Sequence, residues 1–212
     1  MLIFDRNPIF QAMKGEQKWI VVRIDGKIAA VSTDYRLLAS ISATLTKSKK
    51  ETAHIFDNIT ATAVGLEEVW KLKQETNWDD LLLFGTDFQK KVWRKLWDLS
   101  HMESGSSQST SLISYSDFAE LCQNRAGVRA VAHAIGLNPV SVIIPCHLVI
   151  PKESIDKIKE IHKKAEATIF KGDDLCINSI LSDSSIDFGN YALGRKLKRE
   201  LILKELANGL LS

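Results

Sequence analysis

Hydrophobic and β-branched residues form two short runs near the start of the chain, and Asp25-Gly26 separates them. An Asp-Gly pair between two such runs is typical of a tight β-hairpin, so residues 18–32 are predicted to form antiparallel sheet. Between residues 35 and 45, apolar side chains recur at helical spacing. The beginning of the chain is therefore predicted to be a small α/β region.

The hydrophobic periodicity becomes helical after Gly85. Thr86 and Asp87 are typical helix-capping residues, and the apolar positions that follow lie on one helical stripe, namely Phe88, Val92, Trp93 and Leu96. We place a domain boundary near residue 85. This gives an N-terminal α/β domain over residues 1–85 and a mostly α-helical domain over residues 86–212.

Two short helices joined by a tight turn are predicted over residues 116–123 and 127–135. This spacing is typical of a helix-turn-helix, and the second helix would carry Arg129 and His133 on one face. A helix pair of this kind is more often simple packing than a DNA-binding element. The pattern alone therefore does not predict DNA binding.

Cys146 and His147 stand together inside a dense apolar segment, residues 140–150. Taken alone, such a pair is more often a buried structural cysteine beside a core histidine than a catalytic site. A catalytic interpretation needs a base and a partner that orients the imidazole, because the thiolate and not the thiol is the nucleophile. The residues of this segment leave both interpretations open.

Residues 151–188 contain lysines and acidic residues that alternate around regularly spaced isoleucines. This pattern predicts an amphipathic helix with a solvated face. We expect the segment to be an insertion that folds away as a solvated excursion, with a lid or a site for a protein partner as the alternatives. A basic helix is predicted after it, over residues 193–206.

The composition is that of an ordinary globular protein, with 45% hydrophobic residues, 25% charged residues and a net charge of +2 over 212 residues. Such a balance excludes a protein that holds nucleic acid by bulk positive charge. No apolar stretch is long enough to span a membrane, and Cys122, Cys146 and Cys176 show no C-x-x-C spacing for a metal or redox pair. We expect reduced thiols, no membrane partner and an intracellular protein, in the cytoplasm and nucleoid or, in a eukaryote, the nucleus.

Several separated motifs occur together in one order. They are Phe88-Gln89-x-x-Val92-Trp93-x-x-Leu96, Ser114-Tyr115, Arg129-Ala130-Val131, Asn138-Pro139, Ile144-Pro145-Cys146-His147, and Gly189-Asn190-Tyr191-x-x-Gly194-x-x-x-Lys198-x-x-Leu201-Ile202-x-x-Glu205. In order and spacing this set resembles the C-terminal domain of O6-alkylguanine-DNA alkyltransferases, the methylated-DNA–protein-cysteine methyltransferases. The resemblance covers residues 86–150 and 189–206 and implies a winged-helix-like helix-turn-helix domain after the α/β domain.

The resemblance implies a role for each catalytic candidate. Cys146 is implied to be the nucleophile, and His147 with Glu205 to be the pair that deprotonates its thiol through an ordered water. Tyr115 is implied to contact phosphate and to donate a hydrogen bond to the flipped guanine. Asn138 is implied to brace the turn between the recognition helix and the active-site strand.

The implied reaction is a single irreversible transfer of a methyl or other alkyl group from guanine O6 to sulfur, without a cofactor or a metal. The implied partner is double-stranded DNA containing O6-alkylguanine, which a monomer approaches from the minor groove. Arg129, with Ala130 beside it, is implied to contact DNA and to fill the space left by the flipped nucleotide. Four residues are implied to line the alkyl pocket: Pro145, Tyr191, Ala192 and Leu193.

The sequence departs from the family pattern at two positions near the nucleophile. Leu148 stands where the P-C-H-R motif has Arg, and Leu193 stands where the family has Gly. We expect Leu193 to exclude bulky adducts such as benzyl and to leave room for methyl. These departures keep a non-enzymatic alkyltransferase-like sensor of damaged DNA as the alternative function. A cysteine hydrolase ranks last, because neighbouring side chains on a strand point to opposite faces.

Overall fold

The computed structural model describes residues 18–34, 58–101, 112–166, 180 and 183–209. The chain forms two compact units, one comprising Met1–Lys90 with Leu137–Ile144 and the other comprising Lys91–Gly136 with Pro145–Ser212. The helix predicted over residues 35–45 lies outside the described residues, as does Cys176. Among the described helices, none combines the length and the apolar character that crossing a membrane requires.

The first unit contains a three-stranded antiparallel sheet in the order β2-β1-β3, formed by β1 (Trp19–Ile24), β2 (Lys27–Ser32) and β3 (Ile59–Val64). The turn between β1 and β2 is Asp25-Gly26, and both residues have positive φ, 49° and 82°. A two-residue turn with this backbone matches the twist of the strands that it joins. The predicted hairpin is confirmed.

Side chains on both faces of strands β1 and β2 are buried, and the first unit has a hydrophobic core cluster at this sheet. Its buried members are small or β-branched: Ile20, Val22, Ile24, Ala29 and Ala30. The helix α1 (Leu66–Glu75) follows β3 directly, and a short 3₁₀ turn (Trp78–Asp80) follows α1. The predicted α/β character of this part of the chain is confirmed.

The loop Leu137–Ile144 belongs to the first unit and pairs with strand β2. The Val31 N–H donates to Pro139 O, and the Ser141 N–H donates to Val31 O, each at 2.9 Å. These bonds satisfy backbone groups along β2. The apolar segment over residues 140–150 is therefore divided between the two units. Its residues up to Ile144 belong to the first unit, and those from Pro145 onward belong to the second.

The second unit is mostly helical. Its elements are α2 (Asp87–His101), whose first turn belongs to the first unit, β4 (Ile113–Ser114), α3 (Tyr115–Leu121), α4 (Val128–Gly136), β5 (Val149–Ile150), α5 (Lys152–Glu166) and α6 (Arg195–Gly209). Strands β4 and β5 form a parallel pair. The predicted sequence of an α/β region followed by a mostly helical region is confirmed.

A capping box begins α2, as the sequence indicates. The Thr86 N–H donates to Gln89 Oε1 at 2.8 Å, and the Gln89 N–H donates to Thr86 Oγ1 at 3.3 Å. Val92, Trp93 and Leu96 are buried as predicted, but Phe88 is 36% exposed. The expectation of one continuous apolar stripe is wrong at Phe88, which lies in the first helical turn, before the buried part of α2.

The predicted helix-turn-helix is formed by α3 and α4, each shifted by a residue or two from its predicted bounds. Ser114 caps α3, since its Oγ accepts from the Asp117 N–H at 3.1 Å. A 3₁₀ turn (Arg125–Gly127) joins the helices, and the Gly127 N–H donates to Asn124 O at 2.9 Å. The predicted helix pair is therefore confirmed.

The segment around Cys146 is not the strand that the sequence analysis assumed. Cys146–Leu148 forms a 3₁₀ turn in which the Leu148 N–H donates to Pro145 O at 3.1 Å, and only Val149–Ile150 is strand. Pro145 has no N–H to donate to a sheet ladder, so a strand is disfavoured at that position. The argument that ranked the hydrolase last because the two side chains lie on a strand is wrong.

The amphipathic helix predicted within residues 151–188 is confirmed as α5. The expectation that this segment folds away as a solvated excursion is wrong for α5, because its isoleucines are part of a core cluster. The buried members of that cluster are Ile150, Ile155, Ile158, Ile180, Ile186, Phe188 and Ile202. The lysines and acidic residues of α5 whose exposure is described face solvent, as predicted.

Candidate active site

Cys146 begins the 3₁₀ turn and is only 5% exposed. Its Sγ donates a long hydrogen bond to Tyr191 Oη at 3.9 Å. Pro145, directly before it, is also buried. The structure therefore brings together two predicted pocket residues, Pro145 and Tyr191, with the predicted nucleophile.

His147 and Glu205 form a buried pair. Nε2 of His147 lies 2.9 Å from Oε1 of Glu205, although 58 residues separate them in the chain. A carboxylate accepts hydrogen bonds, so the Nε2 proton is donated to Glu205 and Nδ1 is left as the basic nitrogen of a neutral imidazole. Helix α6 thus supplies the partner that the catalytic interpretation requires.

Lys198, which the sequence analysis quoted within its last motif but gave no role, is a central member of this site. Its side chain is 1% exposed, and its Nζ donates to Val149 O at 2.7 Å, to Asn190 O at 3.3 Å and to Tyr115 Oη at 3.4 Å. Burial lowers the pKa of Lys198 to about 8. Two helical turns separate Lys198 from Glu205, a spacing that places both on one face of α6 and could have revealed it.

Tyr115 is half-buried at the start of α3. Burial raises the pKa of its phenol above the ordinary value, and negative charge on Cys146 and on Asp187 adds to the effect. The Tyr115 ring also lies beneath the ammonium of Lys198, whose Nζ is 5.6 Å from the ring centre. Tyr115 therefore stays a hydroxyl donor at neutral pH, with a cationic donor behind its oxygen.

Gly189 lets the chain pass close to Tyr115. Its φ is +79°, and a Cβ at this position would lie 3.1 Å from Pro151 Cδ and 3.5 Å from Tyr115 Oη. After Tyr191 the chain turns, and the Gly194 N–H donates to Tyr191 O at 3.0 Å. The other two predicted pocket residues lie in this turn, where Ala192 is exposed and Leu193 is half-buried.

Asn138 lies in the loop of the first unit. Its Nδ2 donates to Ile144 O at 2.8 Å, and its Oδ1 accepts from the Val140 N–H at 3.0 Å. Both bonds lie within residues 137–144, so Asn138 holds the shape of that loop. This is the geometry of a turn brace, and its contribution to a reaction stays a prediction.

Arg129 and Ala130 are exposed on α4, and His133 is exposed four residues after Arg129. The opposite face of α4 is buried and consists of Val131, Ala134 and Ile135. Trp93 fixes α4 to α2, since its Nε1 donates to Ala134 O at 2.8 Å. Helix α4 therefore presents Arg129 and Ala130 on a solvent-facing surface, and neither belongs to the buried group around Cys146.

The group around Cys146 combines a thiol, a carboxylate-bound imidazole, a phenol and an amine, namely Cys146, His147, Glu205, Tyr115 and Lys198, of which all but the half-buried Tyr115 are buried. Such a set can deprotonate a thiol and supply hydrogen bonds to a leaving group. Within the described ranges, no three His, Cys, Asp or Glu side chains converge as a metal site would require. The chemistry that these residues support is nucleophilic attack by sulfur.

Two solved structures are similar in part to the chain. The Mycobacterium tuberculosis OGT in complex with DNA is 24% identical, with a TM-score of 0.42, over 68% of this chain and 66% of that one. The O6-methylguanine-DNA methyltransferase from Pyrococcus kodakaraensis is 21% identical, with a TM-score of 0.45, over 91% of this chain and 94% of that one.

Individual relatives match a shorter stretch. The probable methylated-DNA–protein-cysteine methyltransferase of Acanthamoeba polyphaga mimivirus is 41% identical over 75 residues, which cover 35% of this chain and 45% of that protein. The inducible methylated-DNA–protein-cysteine methyltransferase of Bacillus subtilis is 43% identical over 68 residues, which cover 32% of this chain and 34% of that protein. The chain thus spans less than half the length of these curated relatives.

A family model matches residues 87–167, and its description is the DNA-binding domain of 6-O-methylguanine DNA methyltransferase. The match begins at the first residue of α2, contains the helix-turn-helix and the Cys146 turn, and ends just after α5. Residues 87–167 are therefore similar to the DNA-binding domain of 6-O-methylguanine DNA methyltransferase, and the resemblance predicted from the sequence motifs is confirmed over these residues.

Proposed function

We propose that this chain repairs DNA by direct transfer of a methyl group, or another small alkyl group, from O6 of guanine to Sγ of Cys146. The observation that carries the proposal is the buried hydrogen bond from His147 Nε2 to Glu205 Oε1, made by the residue that directly follows Cys146. The family match over residues 87–167 and the names of the relatives support the same reaction. The protein would act as a methylated-DNA–protein-cysteine methyltransferase that is consumed in one turnover.

The first step is the formation of the thiolate. Nδ1 of His147 accepts the thiol proton of Cys146 through an ordered water, and Glu205 stabilises the imidazolium that results. The pair is buried, so the interaction between imidazolium and carboxylate is weakly screened by solvent. Removal of the Glu205 charge should therefore slow this step without altering the DNA-binding surface of α4.

The second step is the transfer itself. The bond from Cys146 Sγ to the alkyl carbon forms while the bond from that carbon to guanine O6 breaks, and the electron pair of the broken bond goes to guanine. The Tyr115 hydroxyl donates a proton to the departing guanine, and Lys198 Nζ, 3.4 Å from Tyr115 Oη, replaces it. The product thioether is a poor leaving group, so the alkyl group stays on the protein.

The target atom lies within the base stack of a duplex, so the nucleotide must be flipped out before sulfur can reach it. Arg129 and Ala130 stand exposed near the start of α4, where an inserted arginine can stack in the vacated space. We propose that one copy of the chain approaches the minor groove of double-stranded DNA through α4. The protein would then act where the DNA is, in the cytoplasm and nucleoid or in the nucleus. Leu193, half-buried after Tyr191, would limit the pocket to small adducts.

The test is to mix the protein with duplex DNA that contains O6-methylguanine and to measure the intact mass of the protein. We expect the unsubstituted protein to gain one methyl group, and Cys146→Ala to gain none. Cys122→Ala is the matched control, because Cys122 is the other described free cysteine and is also buried. Glu205→Gln should gain the methyl group more slowly. Absence of methyl gain at protein excess would overturn the proposal.

A damage sensor without transfer is the second candidate, and Leu148 is the observation that favours it. The side chain is fully buried where the family motif has a charged arginine next to the nucleophile. A sensor would bind O6-methylguanine DNA more tightly than undamaged DNA and would gain no mass. Its affinity for the damaged duplex would persist in Cys146→Ala, which separates the two functions in one set of measurements.

A further inference from the structure

The segment 183–191 brings Gly189, Asn190 and Tyr191 to the site, and helix α5 lies against it. We propose that α5 holds this segment in the position that alkyl transfer requires, with Ser154 and Lys157 as positioning residues. The inference rests on the proposed function, since the geometry it concerns is that of the alkyl pocket. It gives the helix within the predicted insertion a role in the reaction.

The polar contacts between α5 and the segment are made by two side chains on one face of the helix. Ser154, which is 3% exposed, donates from Oγ to Asp187 O at 2.6 Å. Lys157, three residues later, donates from Nζ to Ser185 O at 2.9 Å and to Ser185 Oγ at 3.1 Å. Two backbone carbonyls of the segment are thus satisfied by α5.

Apolar contacts reinforce the same attachment. Ile155 and Ile158 of α5 belong to one buried cluster with Ile186 and Phe188 of the segment. Ile186 and Phe188 alternate along the segment with Ser185 and Asp187, whose backbone carbonyls accept hydrogen bonds from side chains of α5. The segment is therefore attached to α5 by side chains at some positions and by backbone carbonyls at others.

The segment depends on such contacts because it forms no regular secondary structure of its own. Residues 186–190 are neither helix nor strand, so their carbonyls have no helical or sheet ladder to satisfy them. Without the Ser154 hydroxyl, the Asp187 carbonyl loses its described donor, and local opening of the segment becomes easier.

A short path of bonds joins this attachment to the reacting atoms. The Asp187 carboxylate accepts from the Gly189 N–H at 2.8 Å and pairs with Arg195. Asn190 follows Gly189, and its carbonyl accepts from Lys198 Nζ. Tyr191 follows Asn190, and its hydroxyl contacts Cys146 Sγ. A shift of the segment at Asp187 would therefore move the acceptor of Lys198 and the wall beside the thiol.

The test measures transfer from O6-methylguanine duplex as a function of DNA concentration, which separates the maximal rate from the half-saturating concentration. We expect Ser154→Ala to lower the maximal rate about tenfold, the effect of one lost buried hydrogen bond, with half-saturation within about twofold of the unsubstituted protein. Ser154→Thr, which keeps the hydroxyl, should recover most of the rate. Lys157→Met should act in the same direction with a smaller effect. Lys159→Met, which removes an equally exposed lysine for which no bond to the segment is described, should not.

Hydrogen exchange of the protein without DNA gives a readout that does not depend on transfer. We expect the amides of residues 185–190 to exchange about tenfold faster in Ser154→Ala and faster by a smaller factor in Lys157→Met, whose bonds to Ser185 are exposed, with exchange in α4 unchanged. Equal maximal rates in the unsubstituted protein and both variants would overturn the inference, as would unchanged exchange. A protein that gains no methyl group but shows faster exchange in the variants would overturn the proposed function and leave the attachment by α5 supported.

Discussion

Replacement of Lys198 by methionine should remove a pH dependence of stability that the unsubstituted protein shows above neutral pH. Lys198 is 1% exposed, and burial lowers the pKa of its amine from 10.5 to about 8. In the unfolded chain the amine is exposed to water and has its ordinary pKa. Folding therefore changes the affinity of this one group for its proton.

The sign of the effect follows from proton binding. Between about pH 8 and pH 10.5 the unfolded chain holds a proton on Lys198 that the folded protein does not, so the free energy of unfolding rises with pH in this window. Each unit of pKa difference corresponds to about 1.36 kcal/mol. From pH 7 to pH 10 the contribution of Lys198 to stability should rise by about 2.5 kcal/mol.

The assay is denaturant unfolding followed by circular dichroism at pH 7, 8, 9 and 10. Other groups titrate in this range, so the informative quantity is the difference between the unsubstituted protein and Lys198→Met. That difference should change by about 2.5 kcal/mol in favour of the unsubstituted protein as the pH rises. Lys196→Met removes an exposed lysine from the same helix and should follow the unsubstituted protein.

The absolute stability of Lys198→Met does not enter the test. Methionine fills the aliphatic space but leaves Val149 O and Asn190 O without the Nζ donor, and these effects oppose each other at every pH. Only the slope isolates the titration. If the free energies of unfolding of Lys198→Met and of the unsubstituted protein change in parallel from pH 7 to pH 10, burial does not lower the pKa of Lys198 and the reasoning is refuted.

Three further substitutions test the packing around the site by denaturant unfolding. Trp93→Phe removes the bond to Ala134 O and should lower the free energy of unfolding by about 1–3 kcal/mol. Gly189→Ala places a Cβ 3.1 Å from Pro151 Cδ at a positive φ, which should cost about 1–2 kcal/mol and slow methyl transfer in the mass assay. Leu148→Ala truncates a fully buried side chain and should cost about 2–5 kcal/mol.

Two of these substitutions have a matched control in the chain. Gly136→Ala adds a Cβ that meets nothing within 4 Å, so it should not destabilise the protein as Gly189→Ala does. Leu121→Ala truncates a leucine that is 49% exposed and should cost well under the loss at Leu148. A Trp93→Phe protein as stable as the unsubstituted one would show that the bond to Ala134 does not hold α4 in place. Equal losses at Leu121 and Leu148 would contradict the assigned burial of Leu148.

The elements that the sequence predicts correctly are those whose signal is local. The Asp25-Gly26 turn, the helix cap at Thr86 and the isoleucine spacing of α5 each depend on residues within one or two turns of each other. Backbone preference and side-chain periodicity act over that distance. The same signals predicted the existence of α3 and α4 and placed their bounds within two residues.

The contacts that the sequence did not predict are made between residues far apart in the chain. Lys198 lies among other charged residues, as a lysine on a solvated helix face would. In the structure its Nζ instead donates to carbonyls of β5 and of the segment after α5. Ser154 is an ordinary residue of a first helical turn in the sequence, and only the structure shows that it donates to the carbonyl of Asp187, 33 residues later. Periodicity assigns such residues to a face of their helix, and it does not say which partner covers that face.

The 3₁₀ turn at Cys146–Leu148 explains how two neighbouring residues can serve one site. A strand would send Cys146 and His147 to opposite faces, whereas a 3₁₀ turn has three residues per turn and rotates successive side chains by about 120°. Cys146 then contacts Tyr191, and His147 contacts Glu205. The Leu148 side chain points in the remaining direction and is fully buried. Leucine at the position of the family's arginine therefore contributes to core packing in this chain. Because the side chains of Cys146 and His147 point away from Leu148, Leu148→Ala should lower stability more than it lowers the rate of the proposed transfer per folded molecule.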